Sequence, residues 1–150
     1  MKDITILREG LKAFNLETDE RKLNSMNIFA DELLRVNEFM NLTAITDENE
    51  VQIKHFLDSL SLITTGLIKN DMRLIDIGCG AGFPSMPLKI YDETLKITML
   101  DGLAKRINFL KETAEILKLT NIEFIHGRAE ELSHNNVHRE AYDIATARGV

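Results

Sequence analysis

Cysteine is almost missing from this sequence: Cys79 is the only one in 150 residues, so no internal disulfide framework can hold the fold. Also lacking is any apolar run long enough to cross a bilayer as a helix, and Met1-Lys2-Asp3 does not begin a signal peptide. The expected compartment is therefore cytoplasmic, with no membrane partner. Excess positive charge is absent too. Eighteen Lys and Arg against 24 Asp and Glu give a net charge of -6, which excludes nucleic-acid binding through bulk charge, because phosphate neutralisation needs clustered basic side chains. Any RNA contact has to be local. No repeat, low-complexity tract or linker is visible. With 44% hydrophobic and 28% charged residues, the chain has the composition of one globular domain with a real core.

The first 70 or so residues read as helices. Ile4, Leu7 and Leu11 share helical spacing behind an Asp3 cap, and Thr18-Asp19 offers caps for a second helix to about residue 39 with Leu23, Met26, Ala30, Leu33 and Leu34 on one stripe. Asn41-Leu42-Thr43 forms a polar loop. Asp47 with Glu50 then fits a capping box opening a third helix, whose apolar positions are Val51, Ile53, Phe56, Leu57 and Leu60. From Met72 the rhythm changes to strands near 72–77, 95–100, 121–125 and 142–147. Helices from Pro84 to about Tyr91, with proline in the first turn, and from Ala104 to about Leu117 fill two of the gaps. Alternating strand and helix gives an α/β fold with a parallel, doubly wound, Rossmann-like sheet. We expect one domain over residues 1–150, the helical 1–70 packed on the sheet of 71–150.

The stretch from Arg73 to Pro84 carries the chemistry. A β-branched strand ends in Asp76, and Gly78, Gly80 and Gly82 follow before a helix, so backbone can approach a ligand closely. A dinucleotide fingerprint would place its last glycine where Phe83 stands. The Asp-x-Gly-x-Gly-x-Gly form instead suits S-adenosyl-L-methionine, a cofactor without pyrophosphate. Gly78 and Gly80 would meet its methionine part, Asp76 its ammonium group, and Phe83 would wall that pocket. Asp101, about 20 residues past the loop, is placed to accept from ribose hydroxyls, or to cap the helix near Ala104. Backbone groups of Ala129 and Glu130 would read the adenine edge, and Arg148, at the carboxyl end of the fourth strand, would hold cofactor or acceptor. Cys79 is a loop filler with no base to activate it. His55, His126, His134 and His138 show no metal-ligand spacing, and no metal is assigned.

Several segments together resemble a known family. Asn41-Leu42-Thr43-Ala44-Ile45, Lys54-His55-Phe56-Leu57-Asp58-Ser59-Leu60, Asp76 through Pro84, Leu100-Asp101 with Lys105 to Leu110, Gly127 to Glu131 and Ala147-Arg148 are similar, in order, to the small-subunit ribosomal RNA guanine-N7 methyltransferases, also called glucose-inhibited division protein B. The resemblance implies methyl transfer from S-adenosyl-L-methionine to N7 of a guanine in 16S ribosomal RNA or the small ribosomal subunit, with cofactor contacts at Gly78, Phe83, Ala129, Glu130 and Arg148. Ser85-Met86 replaces the family's usual Gly-Ile, and Gly149 its usual Ala. Family members continue well past Val150, which implies a C-terminally truncated chain whose sheet is incomplete.

Two other classes fit parts of the sequence. An NAD-dependent oxidoreductase matches the strand and helix rhythm but fails at Phe83. A cofactor-binding or ribosome-binding module without turnover is compatible with a shortened end. If the strand order is 3-2-1-4, strand 142–147 is an unprotected edge. The full-length form is then expected to be a monomer and the 150-residue chain to self-associate.

Overall fold

A computed structural model describes residues 1–135 and 137–149. Helix α1 (Thr5–Ala13) starts where Asp3 Oδ1 accepts from the Thr5 amide at 2.9 Å. Helix α2 (Glu20–Met40) is capped by Asp19, whose carboxylate accepts from the Arg21 and Lys22 amides, satisfying two otherwise orphaned donors. It ends at Asn41 in the left-handed region, φ 51°, a conformation that asparagine tolerates.

The third helical segment departs from its expected form. Asp47 does accept from the Glu50 amide, at 3.0 Å, but α3 covers only Glu48–Glu50 before the backbone widens into a π-helical run, Val51–Leu57. A short α4 (Asp58–Leu60) and a 3₁₀ turn (Ser61–Thr65) follow. The wider turns re-phase the faces, so Val51, Gln52, His55 and Phe56 point inward while Ile53, expected in the core, is 51% exposed. Buried Gln52 ties this segment to α1, accepting from the Leu7 amide at 2.9 Å and donating to the Asp3 carbonyl at 2.9 Å.

Strands β1 (Arg73–Ile77), β2 (Lys96–Asp101), β3 (Ile122–His126) and β4 (Ile144–Thr146) form one parallel sheet in the order β3-β2-β1-β4. The expected order and edge position of β4 are therefore present, although β4 has only three residues. Asp143, just before it, is spent on a junction with Arg73 instead, its amide donating to the Arg73 carbonyl and its carboxylate accepting from the Arg73 amide. Helix α5 (Ser85–Tyr91) begins one residue later than expected, with Pro84 at its N-cap. Helix α6 (Ala104–Ile116) packs on β2 and β3, and a five-residue α7 (Ala129–Ser133) connects β3 to β4.

One apolar cluster runs from Leu7 and Leu11 through α2 to the sheet and α6. Its centre is aromatic: Phe29 lies 5.7 Å from Phe56, 5.1 Å from Phe83 and 6.4 Å from Phe109 between ring centroids. Burying that much ring surface fixes the helical segment against the glycine loop, which holds Phe83. Among the described residues no helix is long and apolar enough to cross a membrane.

Candidate functional site

Every candidate residue lies at the carboxyl ends of the strands, where a parallel sheet opens its crevice. β1 delivers Asp76, fully buried, into the turn toward α5. One carboxylate oxygen accepts from the Ser85 amide at 3.3 Å; the other, Oδ1, and the Ser85 hydroxyl are buried without a hydrogen-bond partner among the described residues. Burial pushes the Asp76 carboxyl up to about 6, against the pull of Ser85 and of the Arg148 guanidinium. An unpaired buried carboxylate oxygen at the end of a strand is costly unless a ligand completes it.

Gly78, Gly80 and Gly82 all have positive φ, at 66°, 55° and 100°. A side chain at Gly80 would stand in open space, whereas at Gly82 it would strike Leu110 and Met86 at 2.6 and 2.8 Å. The two glycines serve different ends: Gly82 admits close packing of the loop on α6, and Gly80 keeps the crevice clear. Asp101 connects the loop to β2, accepting from the Gly80 amide at 2.9 Å and the Leu103 amide at 2.9 Å, with Arg106 Nη1 at 3.6 Å. It does not cap α6, whose N-cap is Leu103. Asp101, Gly78, Ala129 and Glu130 line one cavity of about 250 Å³ with Ile77, Leu100 and Gly127. The Ala129 and Glu130 amides take no backbone partner among the described residues, leaving two donors at its rim.

Arg148 and Phe83 stand on the other side of the loop. Phe83 is buried in the aromatic cluster, stacked on His55 at 4.2 Å and 7°, and the Arg148 guanidinium lies 5.3 Å over its ring. Arg148 donates to the Lys54 carbonyl at 3.1 Å, to Asp58 Oδ2 at 3.3 Å and to His55 Nδ1 at 2.7 Å. Arginine can only donate, so His55 Nδ1 accepts and its Nε2–H donates to Thr43 Oγ1, at 2.9 Å. Burial first, and then Arg148, lower the imidazole to about 4, which keeps this tautomer neutral. A second cavity, of about 350 Å³, opens here between Asp58, Ser59, Leu62, Pro84, Ala145 and Arg148.

The structure thus gathers Gly78, Asp101, Ala129 and Glu130 around one cavity on the β2 side and puts Phe83 and Arg148 at the junction with the helical segment, while Asp76 lines neither cavity and lies buried against Ser85. Thr43, His55 and Asp58 carry no role in the sequence reading. Their signal was a polar stripe, Gln52, His55 and Ser59, beside an apolar one in a segment read only as a helix. Burial pushes the Cys79 thiol far up, with Asp76 and Asp101 adding to it, so it is no nucleophile. Among the described residues no group of His, Cys, Asp or Glu could hold a metal ion.

The residues present fit S-adenosyl-L-methionine. Asp76 and Arg148 offer opposite charges for an ammonium and a carboxylate, the glycine loop has open space at Gly80, and Asp101 lines a cavity with Ala129 and Glu130. A family model described as rRNA small subunit methyltransferase G matches residues 22–150. Curated relatives named ribosomal RNA small subunit methyltransferase G include one from Alkaliphilus metalliredigens, 48% identical over 100% of this chain and 63% of that protein. Another, from Lactobacillus acidophilus, is 48% identical over 93% of this chain and 59% of that protein. The chain spans about three fifths of the length of the curated relatives it matches. Among solved structures, a candidate protein-L-isoaspartate O-methyltransferase from Plasmodium falciparum, in complex with S-adenosyl-L-homocysteine, superposes with a TM-score of 0.59. At 18% identity, over 96% of this chain and 72% of that one, it shares the fold.

Proposed function

The chain belongs to the rRNA small subunit methyltransferase G family, and from that premise we propose that it binds S-adenosyl-L-methionine across the glycine loop for methyl transfer to N7 of a guanine in 16S ribosomal RNA. The observation that carries this reading is the pair of opposite charges, buried Asp76 and the fixed Arg148 whose charge acts on it, beside a glycine loop with open space at Gly80. When bound, the cofactor supplies a methyl group on a sulfonium sulfur: the N7 lone pair forms the new N–C bond, the C–S pair returns to sulfur, and no proton moves.

The protein's part is therefore binding and alignment rather than acid-base work. Asp76 holds the ammonium end and Arg148 the carboxylate end. Gly78 and Gly80 let the backbone approach, and Phe83 props the guanidinium from below. Asp101 accepts from ribose hydroxyls with the lone pairs that its two amide contacts leave. Ala129 and Glu130 amides read the adenine edge. The acceptor is a splayed guanine, presented by the small ribosomal subunit or its RNA in the cytoplasm.

Isothermal titration with S-adenosyl-L-homocysteine tests the cofactor half, with saturable binding expected; no heat sinks it. Transfer of labelled methyl to 16S RNA, with the product base identified by mass spectrometry, tests the rest. A second reading, cofactor binding without turnover, is supported by the chain spanning only about three fifths of its relatives' length. Binding with no labelled RNA would select it. Enhancement of NADH fluorescence would instead revive an oxidoreductase.

A further inference from the structure

The glycine loop is flanked by two cavities that share no residue: one of about 250 Å³ toward β2 and β3, and one of about 350 Å³ toward β4, α4 and the 3₁₀ turn. The first holds the ribose and adenine contacts of the proposed cofactor site. The second has Arg148 on its wall, the residue that also draws on Asp76, so it adjoins the methionine end of that site. Its volume is at the low end of the ~300–1,000 Å³ of small-molecule pockets, a size for one nucleoside rather than a length of RNA.

We propose that this second cavity is the pocket for the acceptor base, with the Asp58 carboxylate reading the N1–H and 2-amino edge of guanine. The proposal rests on the methyltransferase reading above. Leu62, Pro84, Ala145 and Ala147 give the cavity apolar surface against which a flat base can lie. Asp58 stands at its mouth with its side chain 57% exposed and one oxygen held by Arg148 at 3.3 Å. Arg148 is in turn fixed by the Lys54 carbonyl and His55, so the carboxylate is aimed by a braced partner. The neighbouring hydroxyls do not compete for it, since Ser59 donates to the His55 carbonyl and Ser61 to the Asp58 carbonyl, both at 2.6 Å.

The chemistry selects the base. Two carboxylate oxygens match the adjacent N1–H and N2–H donors of guanine, whereas adenine presents an acceptor at N1 and hypoxanthine lacks the amino group. Reading that edge also leaves N7, on the Hoogsteen side, unclaimed and able to face the methyl group. A site that gripped the Hoogsteen edge would cover the atom to be methylated. Sites that hydrogen-bond a substrate group reject analogues lacking it far better than apolar pockets do.

The test is saturation-transfer NMR on the chain with S-adenosyl-L-homocysteine bound, using guanosine, inosine, adenosine and 1-methylguanosine 5′-monophosphates as probes. Guanosine monophosphate should bind, inosine monophosphate about 10-fold more weakly, and the other two should give no signal. Asp58→Asn should lower guanosine monophosphate affinity at least about 10-fold, in a sample that calorimetry shows still to be saturated with S-adenosyl-L-homocysteine. Equal signals from all four nucleotides, no signal from guanosine monophosphate, or an unaffected folded variant each overturn the pocket. Should Asp58→Asn fail to fold, as read by circular dichroism, the wild-type nucleotide series decides alone. Calorimetry on the same sample separates the two levels: no heat with S-adenosyl-L-homocysteine sinks the methyltransferase reading and this proposal with it. Heat without nucleotide discrimination sinks only the pocket.

Discussion

Burial raises the Asp76 carboxyl to about 6 and lowers the His55 imidazole to about 4, so the two residues drive stability in opposite directions across the same acidic range. Asp76, raised from 3.8, contributes stability that is present below the unfolded value and lost as pH rises through about 6. His55, lowered from 6.5, contributes stability that is present above that value and lost as pH falls toward about 4. Each shift corresponds to about 3 kcal/mol, and in the wild type they largely cancel. His55→Gln should remove one side of the balance: its stability to urea should rise by about 1 kcal/mol between pH 7.5 and pH 5, while the wild type stays level or declines. A parallel pH response in both proteins would refute the assignment. Asp76→Asn should stabilise the ligand-free chain at pH 7.5 by about 2 kcal/mol, because the unpaired buried charge is gone and the Ser85 hydroxyl, itself without a partner, can accept from the new amide. The same variant should weaken S-adenosyl-L-homocysteine binding by about 10-fold or more. Melting temperature and calorimetry should therefore move in opposite senses.

Among the elements, the glycine loop separates packing from ligand access. Alanine at either glycine meets a left-handed backbone, which costs about 1–2 kcal/mol. At Gly80 nothing lies within 4 Å of the added carbon, so Gly80→Ala should melt only about 3–6 °C lower yet lose cofactor binding. At Gly82 the carbon meets Leu110 at 2.6 Å, so Gly82→Ala should lose about 3 kcal/mol or more. Equal melting temperatures for the two variants would contradict this division. The strands were legible because a buried parallel strand is a short apolar run, and Asp76 and Asp101 because each acid ends such a run. The π-helical segment was not. Its apolar residues were read at the α-helical period, which put Ile53 inward, and only the re-phased backbone turns Gln52 and His55 to the core. The Asp58, His55 and Arg148 contacts join residues 90 and 93 positions apart, a pairing that no local pattern contains. β4 was read too long because Tyr142 and Asp143 look strand-like, but Asp143 is used up on Arg73.

For the whole molecule, the two faces of the sheet are unequally covered. Helices α5 and α6 pack on it with the helical segment, and the core gathers there. Over the opposite face lie α7 and residues 137–142, and beneath them are hollows of about 480 and 540 Å³ lined in part by Ile75, Ile77, Ile97, Leu100 and Ile122. β4 adds an edge of three residues, with no further strand beside it among the described residues. Open edges carry unpaired amides and carbonyls, and thinly covered apolar surface lowers its free energy by meeting its like. We therefore expect the 150-residue chain to associate with itself: in sedimentation velocity the weight-average coefficient should climb as concentration rises. The net charge of -6 opposes association, so added salt, which screens that repulsion, should strengthen it. An assembly held by salt bridges would weaken instead. A single monomer boundary at every concentration and salt level would mean that α7 and β4 already close the sheet well enough. Saturating S-adenosyl-L-homocysteine should stabilise the chain by about 2.7 kcal/mol at 100 times its Kd. Because the proposed cofactor site is at the carboxyl ends of the strands and does not include the β4 edge, the ligand should raise the melting temperature without abolishing association.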